Sequence, residues 1–354
     1  MLAMTMETAL LPTDTPARCA AAVTRAAALL AAGEPVALPT ETVYGLAADA
    51  LRPEAVVKIF EAKERPFFDP LIVHLPTAGW LDELTEIPTE SRALVEALIA
   101  KFWPGPLTLV LPRRAVVPDI VTAGLDTVAV RMSAHPVFRA VLARFARPLA
   151  APSANRFGRI SPTTAEHVRT ELAGRIPLIV DGGPTEHGLE STIVTVEGGR
   201  LRLLRAGPVT APELAAVWLE NHGGPVDVRA AERRAFFSTP TRADGAPPEA
   251  PGQLASHYAP GTPMFLGSPS DTVVAARRLG LLAFRAVTCG PQEFDAVEIL
   301  SPTGDLREAA ATLFAKMRRL DEAGLDLIVA EPVPERGLGI AIMDRLRKAA
   351  AGHG

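Results

Sequence analysis

The stretch Pro35-Val-Ala-Leu-Pro-Thr-Glu-Thr-Val-Tyr-Gly-Leu46 indicates the fold class of the whole chain. It opens with a short apolar run, of a length typical of a buried strand, and continues into a turn rich in hydroxyl groups. Before it, residues 17–32 have helical periodicity and end at Gly33, a common residue just after a helix. The sequence therefore predicts a helix that leads into a strand, with polar side chains where the strand ends.

The same alternation continues along the chain. Apolar runs predict strands at 71–75, 107–111, 127–131, 178–181 and 192–196. Helical periodicity predicts helices at 53–62, 90–102 and 135–145, and a further helix that begins at Pro162 with Ser161 as its N-cap. Residues 200–205 are predicted to pair with 192–196 as a hairpin around Gly198-Gly199. Interleaved helices and strands place the chain in the α/β class.

The composition changes near Asn221 and changes back near Met264. Residues 221–263 are rich in Gly, Pro and charged residues and lack a periodic element, which predicts a linker. After it, strands are predicted at 264–266, 281–284 and 327–330, and helices at 271–279, 306–320 and 340–350. We therefore predict a large α/β domain of residues 18–220, a linker of residues 221–263 and a smaller α/β domain of residues 264–350.

Composition and charge exclude several classes of protein. Of the 354 residues, 48% are hydrophobic and 21% are charged, as is typical of a packed globular chain. The net charge of −4 gives no general attraction for nucleic acid, but it does not exclude a local basic cavity. Cys19 and Cys289 lack metal-ligand spacing, and we find neither a signal peptide nor an apolar run that could span a membrane. We therefore expect a cytoplasmic protein.

Cations and a histidine follow the helix predicted at 53–62. Lys63 and Arg65 stand two residues apart, Asp69 follows, and His74 lies in the next apolar strand. A guanidinium fork matches phosphate or carboxylate, so the two cations could converge on an anionic ligand. The alternative is a solvated helix end, where cations interact favourably with the helix dipole.

Two further polar segments follow predicted strands. Small hydroxyl and amide groups in Ala151-Pro-Ser-Ala-Asn155 could hold phosphates, although an ordinary capped loop has the same composition. Gly182-Gly183 could let a ligand approach the backbone, or could serve only as a turn. Arg131 and Arg205 lie in apolar strands, where a charge needs a partner or a ligand. Because the sequence has no G-x-x-x-x-G-K-[ST], G-x-S-x-G or H-E-x-x-H motif, these residues predict only a polar, cation-lined cavity.

The chain also carries an ordered set of short motifs. They are Pro39–Leu46, Lys63–Pro66, Asp69–His74, Trp103–Thr108, Val128–Arg131, Ala151–Asn155, Ser161–Glu166, Asp181–Gly183, Glu190–Thr192, Leu204–Gly207, His257–Pro260, Glu335–Gly339 and Ala341–Leu346. Together they resemble the YrdC family of threonylcarbamoyl-AMP synthases, in its longer, two-domain form, over roughly residues 18–350. The resemblance implies an open, twisted α/β domain with a positively charged cavity, followed by a smaller Rossmann-like α/β domain.

The resemblance also implies a reaction. L-threonine, bicarbonate and ATP would be condensed to threonylcarbamoyl-AMP and pyrophosphate, with magnesium accompanying the ATP. The product would pass to a tRNA threonylcarbamoyl transferase, which modifies the adenosine next to the anticodon. Direct tRNA binding by this chain would be weak.

Matched residue by residue, the resemblance implies two groups of binding residues. At ATP-binding positions stand Arg65, Asp69, Thr127, Ser153, Asn155, Ser161, Arg205, His257 and Tyr258, of which the last two lie in the linker and would close over the nucleotide. At threonine-binding positions stand Thr42, His74, Arg131, Ala151 and Ser191. Lys63 and Arg65 are the implied catalytic residues, and no side chain is implied as a metal ligand. Asp69 and Glu64 depart from the family pattern, which has Asn and Gly there.

Two other functions compete with this interpretation. A carbamoyl-adenylate-forming enzyme of hydrogenase maturation uses a related domain, but two isolated cysteines disfavour the zinc motifs of such proteins. A non-catalytic RNA-binding module would use the same cavity, and the net charge of −4 disfavours it.

Overall fold

The computed structural model describes residues 6–222, 248–254, 257–267, 278–286 and 294–353. The helices are α1 (Pro16–Ala31), α2 (Pro53–Lys63), α3 (Trp80–Leu84), α4 (Thr89–Phe102), α5 (Asp119–Thr122), α6 (Pro136–Phe145), α7 (Ala165–Leu172), α8 (Ala211–His222), α9 (Leu306–Glu322) and α10 (Leu338–Ala350). The strands are β1 (Ala9–Pro12), β2 (Val36–Leu38), β3 (Gly45–Asp49), β4 (Ile72–His74), β5 (Leu107–Pro112), β6 (Thr127–Arg131), β7 (Leu149–Ala150), β8 (Leu178–Asp181), β9 (Thr192–Glu197), β10 (Arg200–Arg205), β11 (Met264–Leu266), β12 (Leu279–Ala283), β13 (Ala296–Ile299) and β14 (Leu327–Ala330).

A mixed sheet of ten strands forms the first domain, in the order β1-β8-β2-β3-β7-β4-β6-β5-β9-β10. Side chains alternate between its two faces. Leu46 and Ala48 of β3 join the cluster packed under α2, α4 and α8, whereas Ala47 joins the cluster under α1 and α6. Helices therefore cover both faces of the sheet, as the predicted α/β class requires.

The register of the central strands brings polar side chains together. His74 of β4 lies opposite Arg131 of β6, and Arg131 lies opposite Thr108 of β5. The neighbouring residues Val73 and Val130 point the other way, into the apolar core. Alternation thus places an imidazole, a guanidinium and a hydroxyl side by side on one face of the sheet.

The second domain is a four-stranded parallel sheet, in the order β11-β14-β12-β13, packed with α9 and α10. Its hydrophobic core also contains residues of the first domain. Val43, Ile160 and Leu189 of the first domain are buried in the same cluster. Each of the three belongs to a different loop, so the second domain holds three loops of the first.

Most of the predicted elements are confirmed, with ends that shift by one or two residues. The predicted helix start at Ser161 is wrong, because α7 begins at Ala165 with the Thr164 side chain as its cap. The Ser161 hydroxyl donates instead to Glu190 at 2.5 Å. Sequence analysis missed β1, which pairs with β8 and extends the sheet before residue 18. Most of the helix predicted at 271–279, and Cys289, lie outside the described residues.

Gly188 gives a test of the contact between the domains. Its φ is +65°, and an added Cβ would lie 2.5 Å from the carbonyl oxygen of Ala311 in α9. We expect Gly188→Ala to lower the free energy of unfolding by about 1–2 kcal/mol for the left-handed backbone, plus about 1–3 kcal/mol for the overlap.

Gly124→Ala is the matched control for this substitution. Gly124 has a φ of +78° but no atom within 4 Å of its added Cβ. Urea unfolding of both variants should therefore show a larger loss for Gly188→Ala. Equal losses would contradict the close approach of the two domains.

Candidate active site

A cavity of about 540 Å³, including its open mouth, lies where the loops of the first domain meet the linker. Ten of the predicted site residues line it: Thr42, Arg65, His74, Arg131, Ala151, Ser153, Ser191, Arg205, His257 and Tyr258. They come from segments far apart in sequence, which the sheet order brings to one place. The prediction of a cation-lined polar cavity thus agrees with the geometry.

Three arginines supply the positive charge of the cavity. Arg65, Arg131 and Arg205 are all buried, and each also donates to backbone carbonyls. Arg65 donates to Pro70 O at 3.0 Å, Arg205 to Ser191 O at 3.0 Å and Arg131 to Gly105 O at 3.2 Å. Because these bonds orient the guanidinium groups in advance, an anionic ligand would find them already in place.

Arg131 is held by a buried carboxylate that sequence analysis did not select. Glu41 accepts from Arg131 Nη2 and from the Ser133 hydroxyl, both at 2.5 Å. Burial opposes ionisation of Glu41, but Arg131 and Ser133 outweigh it and lower the pKa of the carboxyl to about 2. Arg131 Nη1 donates to the Thr42 hydroxyl at 3.0 Å, so the pair also orients a predicted threonine-binding residue.

His74 is a neutral side chain at neutral pH. Burial, reinforced by Arg131, lowers its pKa to about 3. Its ring packs on Phe138 with the centroids 4.6 Å apart, and its Nδ1 has no hydrogen-bond partner among the described residues. A buried ring nitrogen without a partner is available to a ligand.

Ser191 adds a hydroxyl group to the cavity lining. The Ser191 hydroxyl bonds the Thr108 hydroxyl at 2.7 Å and accepts from Arg205 Nη2 at 3.1 Å. Ser191 therefore links the arginine of β10 to the row of polar residues on β5 and β6.

The linker contributes His257 and Tyr258, which lie 6% and 1% exposed over the cavity. Tyr258 packs on Phe314 of α9 with ring centroids 5.6 Å apart, and its φ of 64° is strained for a bulky residue. Its hydroxyl and the Nδ1 of His257 have no partner among the described residues. Both atoms are therefore available to a ligand in the cavity.

Lys63, predicted as catalytic, does not line the cavity. It is the last residue of α2, and Glu64 takes a left-handed φ of 53° that turns the chain before Arg65. The Lys63 ammonium donates to Ser153 O and Asn155 O, both at 2.5 Å. Burial and the nearby Arg65 lower its pKa. Lys63 therefore positions the 151–155 loop, and Glu64 occupies a backbone conformation that favours the glycine of the family pattern.

Four predicted nucleotide-binding residues also lie behind or away from the cavity lining. Asp69 is buried and pairs with Arg65 Nη2 at 2.8 Å, so Arg65 compensates its charge. The Asn155 amide donates to Arg156 O and Arg159 O. Ser161 contacts Glu190, which does line the cavity. Thr127 lies at the far end of β6, about 13 Å of strand from Arg131.

Sequence reasoning missed Glu41, Glu190 and Arg345 as site residues. Glu41 and Glu190 stand inside quoted motifs, where a carboxylate next to hydroxyl residues was the available signal. Arg345 is fully buried and pairs with Glu190 at 3.1 Å from 155 residues further along the chain. No local pattern indicates that contact.

Among the described residues, no three His, Cys, Asp or Glu side chains converge as a metal centre would require. No helix in the same ranges is both long and apolar enough to cross a bilayer.

The fold and the cavity define a class: a two-domain α/β protein whose buried arginines and hydroxyls suit a small anionic ligand. Residues 28–207 match the Sua5, YciO and YrdC family, described as telomere recombination, and residues 209–351 match the C-terminal domain of threonylcarbamoyl-AMP synthase. The chain belongs to the threonylcarbamoyl-AMP synthase family of enzymes, and the resemblance seen in the sequence is confirmed.

Relatives match over both domains. The threonylcarbamoyl-AMP synthase of Pyrococcus abyssi is 41% identical over 332 residues, covering 92% of this chain and 93% of the relative. That of Bacillus subtilis is 42% identical over 344 residues, covering 94% and 93%. The crystal structure of Pyrococcus abyssi Sua5 complexed with L-threonine aligns with a TM-score of 0.80 and 37% identity over 98% of each chain.

The Glu41–Arg131 pair generates a stability prediction. Replacing Glu41 by Gln leaves Arg131 buried without its anion, and we expect a loss of about 3–5 kcal/mol in the free energy of unfolding. Because the pKa of Glu41 falls from 4.5 to about 2 on folding, the pair stabilises the protein above pH 4.5 and less as the pH drops toward 2. The difference in free energy of unfolding between wild type and Glu41→Gln should therefore shrink as the pH falls from 4.5 toward 2.

The control is Glu86→Gln, which breaks an exposed pair with Arg114 at 3.4 Å. Such a pair contributes less than about 1 kcal/mol. Urea titrations from pH 7 down to pH 3 measure the free energy of unfolding of both variants. If the loss of stability in Glu41→Gln did not depend on pH, Glu41 would not be an ionised carboxylate in the folded protein.

Proposed function

We propose that the chain condenses L-threonine, bicarbonate and ATP to threonylcarbamoyl-AMP and pyrophosphate. The observation that carries the proposal is the convergence of Arg65, Arg131 and Arg205 on one buried, hydroxyl-lined cavity. The substrates bring a carboxylate, a carbamate and a triphosphate together, and fixed cations offset their mutual repulsion. Family membership and the L-threonine bound to the Pyrococcus abyssi relative support the choice of substrates.

In this proposal the threonine subsite is built from Thr42, His74, Arg131, Ala151 and Ser191. Arg131, oriented by Glu41, would bind the amino-acid carboxylate. The neutral His74 ring and the Thr42 and Ser191 hydroxyls would contact the polar groups of the substrate. Ala151 supplies a small, buried wall that leaves room for the substrate methyl.

The proposed nucleotide subsite uses Arg65, Arg205, Ser153, His257 and Tyr258. Asp69, Asn155 and Ser161 would act from behind the lining, through Arg65, the 156–159 turn and Glu190. Glu190 is the one carboxylate that lines the cavity among the described residues, and it already accepts from Ser161 and Arg345. The residues present therefore fit magnesium that arrives on the ATP phosphates, where it would neutralise charge, better than magnesium held by protein ligands.

The chemistry needs positioning rather than a covalent enzyme intermediate. The threonine amine adds to the bicarbonate carbon with loss of water, and one oxygen of the resulting carbamate attacks the α-phosphorus. The bond from that phosphorus to the bridging oxygen breaks, and pyrophosphate leaves. Good alignment of such reactants is worth about 7–11 kcal/mol in model systems.

We also propose that the product passes to a tRNA threonylcarbamoyl transferase in the cytoplasm. Adenylates of this kind are reactive mixed anhydrides, so a consuming enzyme must take them up before water does. Direct tRNA binding by this chain would contribute little, since the arginines of the cavity are buried and the net charge is −4.

The test is pyrophosphate release from ATP with L-threonine and bicarbonate, each omitted in turn. We expect pyrophosphate release only when all three substrates are present. Release with carbamoyl phosphate in place of threonine and bicarbonate would point to the carbamoyl-adenylate reaction instead. Salt-dependent binding of RNA without pyrophosphate release would favour the RNA-binding module.

Amino-acid choice should depend on the substrate hydroxyl. A site that hydrogen-bonds a hydroxyl rejects an analogue without it far better than it rejects the loss of one methyl, which is worth only about 10–200-fold. We therefore expect serine to be used weakly and valine hardly at all, measured as kcat/KM with each amino acid. Equal use of valine and threonine would rule out the proposed pocket.

We also propose that the chain divides into a catalytic domain of residues 18–220, a linker of residues 221–263 and a C-terminal domain of residues 264–350. We propose that the described linker residues 251–254 and 257–260 cover the nucleotide and exclude water from the adenylate. Pro251, Gly252, His257 and Tyr258 already line the cavity. The alternative is that His257 and Tyr258 only pack on the C-terminal domain.

Tyr258→Phe separates these two roles. Because the Tyr258 hydroxyl has no partner among the described residues, its loss should leave the free energy of unfolding unchanged or slightly higher. The KM for ATP should rise about 3–10-fold, as expected for one lost hydrogen bond. Tyr44→Phe is the control, because it removes a hydroxyl that donates to Gly183 O at 2.7 Å and so should lower stability. An unchanged KM for ATP in Tyr258→Phe would mean that Tyr258 only packs on the C-terminal domain.

A further inference from the structure

Helix α10 of the C-terminal domain sends one arginine into the wall of the cavity. Arg345 is 0% exposed, and its Nε donates to Glu190 Oε2 at 3.1 Å. Its Nη1 donates to Ala206 O at 2.8 Å and to the neighbouring Asp344 carboxylate at 3.0 Å. The guanidinium also lies 5.4 Å from the centre of the Tyr258 ring. One side chain thus contacts the loop before β9, the segment after β10 and the linker.

The partner of Arg345 is a carboxylate in a cavity suited to anions. Glu190 lines the cavity beside Ser191 and accepts from the Ser161 hydroxyl as well as from Arg345. Without Arg345, the Glu190 carboxylate would keep, among the described residues, one neutral donor, the Ser161 hydroxyl. A buried carboxylate with incomplete compensation would repel phosphates and would be free to turn toward Arg205.

The same helix also holds the linker. Lys348, one turn after Arg345, donates to Gly252 O at 2.7 Å and pairs with Asp344 at 2.8 Å. Gly252 lies against the Tyr258 hydroxyl and Arg205, since a Cβ added to it would be 2.7 Å and 3.3 Å from their nearest atoms. Helix α10 therefore fixes both a wall and the cover of the nucleotide subsite.

We infer that Arg345 is a positioning residue for ATP binding, which makes the C-terminal domain a part of the active site. The inference rests on the proposed function for its substrate. Arg345 touches no substrate: it neutralises Glu190, keeps that carboxylate away from the phosphates and holds Tyr258 over the nucleotide.

The experiment compares Arg345→Met, Glu190→Gln and the double variant in the pyrophosphate assay. Arg345→Met should raise the KM for ATP at least about tenfold, with a smaller change in kcat and less than about a threefold change in the KM for L-threonine. Adding Glu190→Gln removes the uncompensated charge, so the double variant should recover to within about threefold of Glu190→Gln alone. Arg347→Gln, two residues away on the same helix and paired with Glu335 at the surface, should behave as wild type.

Each outcome decides the inference. A wild-type KM for ATP in folded Arg345→Met overturns it, and so does a double variant no better than Arg345→Met, which would mean that Arg345 only packs the domains together. If Arg345→Met fails to fold in thermal unfolding, Arg345→Gln, which also removes the positive charge, replaces it under the same criteria. If the wild type releases no pyrophosphate, the proposed function fails, but calorimetric titration of ATP into the same variants still tests Arg345.

Discussion

Three guanidinium groups buried around one cavity are the constraint on which the rest of the structure depends. Like charges at close range in a poorly solvated site repel strongly, and a buried cation without a partner is costly. Buried anions and carbonyls compensate these charges. Glu41 pairs with Arg131, Asp69 pairs with Arg65, and the Ser191 carbonyl accepts a hydrogen bond from Arg205. The compensating groups stand behind or beside the arginines, so the cavity keeps its positive charge for a ligand.

This arrangement explains why several motif residues do not face the cavity. Lys63, Asn155 and Ser161 each bond the protein itself and give the loops their shape. A site that gathers several anions must not rearrange when they arrive, because reorganisation would cost part of the binding free energy. Many residues of the motifs are therefore best understood as supports of the few that line the cavity.

The second domain also holds the cavity loops in place. Val43, Ile160 and Leu189 anchor three cavity loops in its core, and Arg318 of α9 pairs with Glu171 at 3.1 Å and donates to Ile160 O. Loops that carry a site are normally the mobile part of a protein. Here their apolar residues are buried in another domain, which limits their motion without filling the cavity.

The sequence by itself determined the α/β class, the position of most strands and helices, the second α/β domain and the family. These follow from local periodicity and from short motifs, which need no knowledge of contacts between distant residues. It also identified ten of the residues that line the cavity, by resemblance to the family.

Only the tertiary structure decided which motif residues face the cavity and which support it. The Lys63 ammonium bonds the carbonyls of Ser153 and Asn155 and does not line the cavity, and the Ser161 hydroxyl bonds Glu190 and does not cap α7. The pairing of Glu190 with Arg345 joins residues 155 positions apart. Such contacts depend on how the two domains pack, and a local pattern carries no information about that packing.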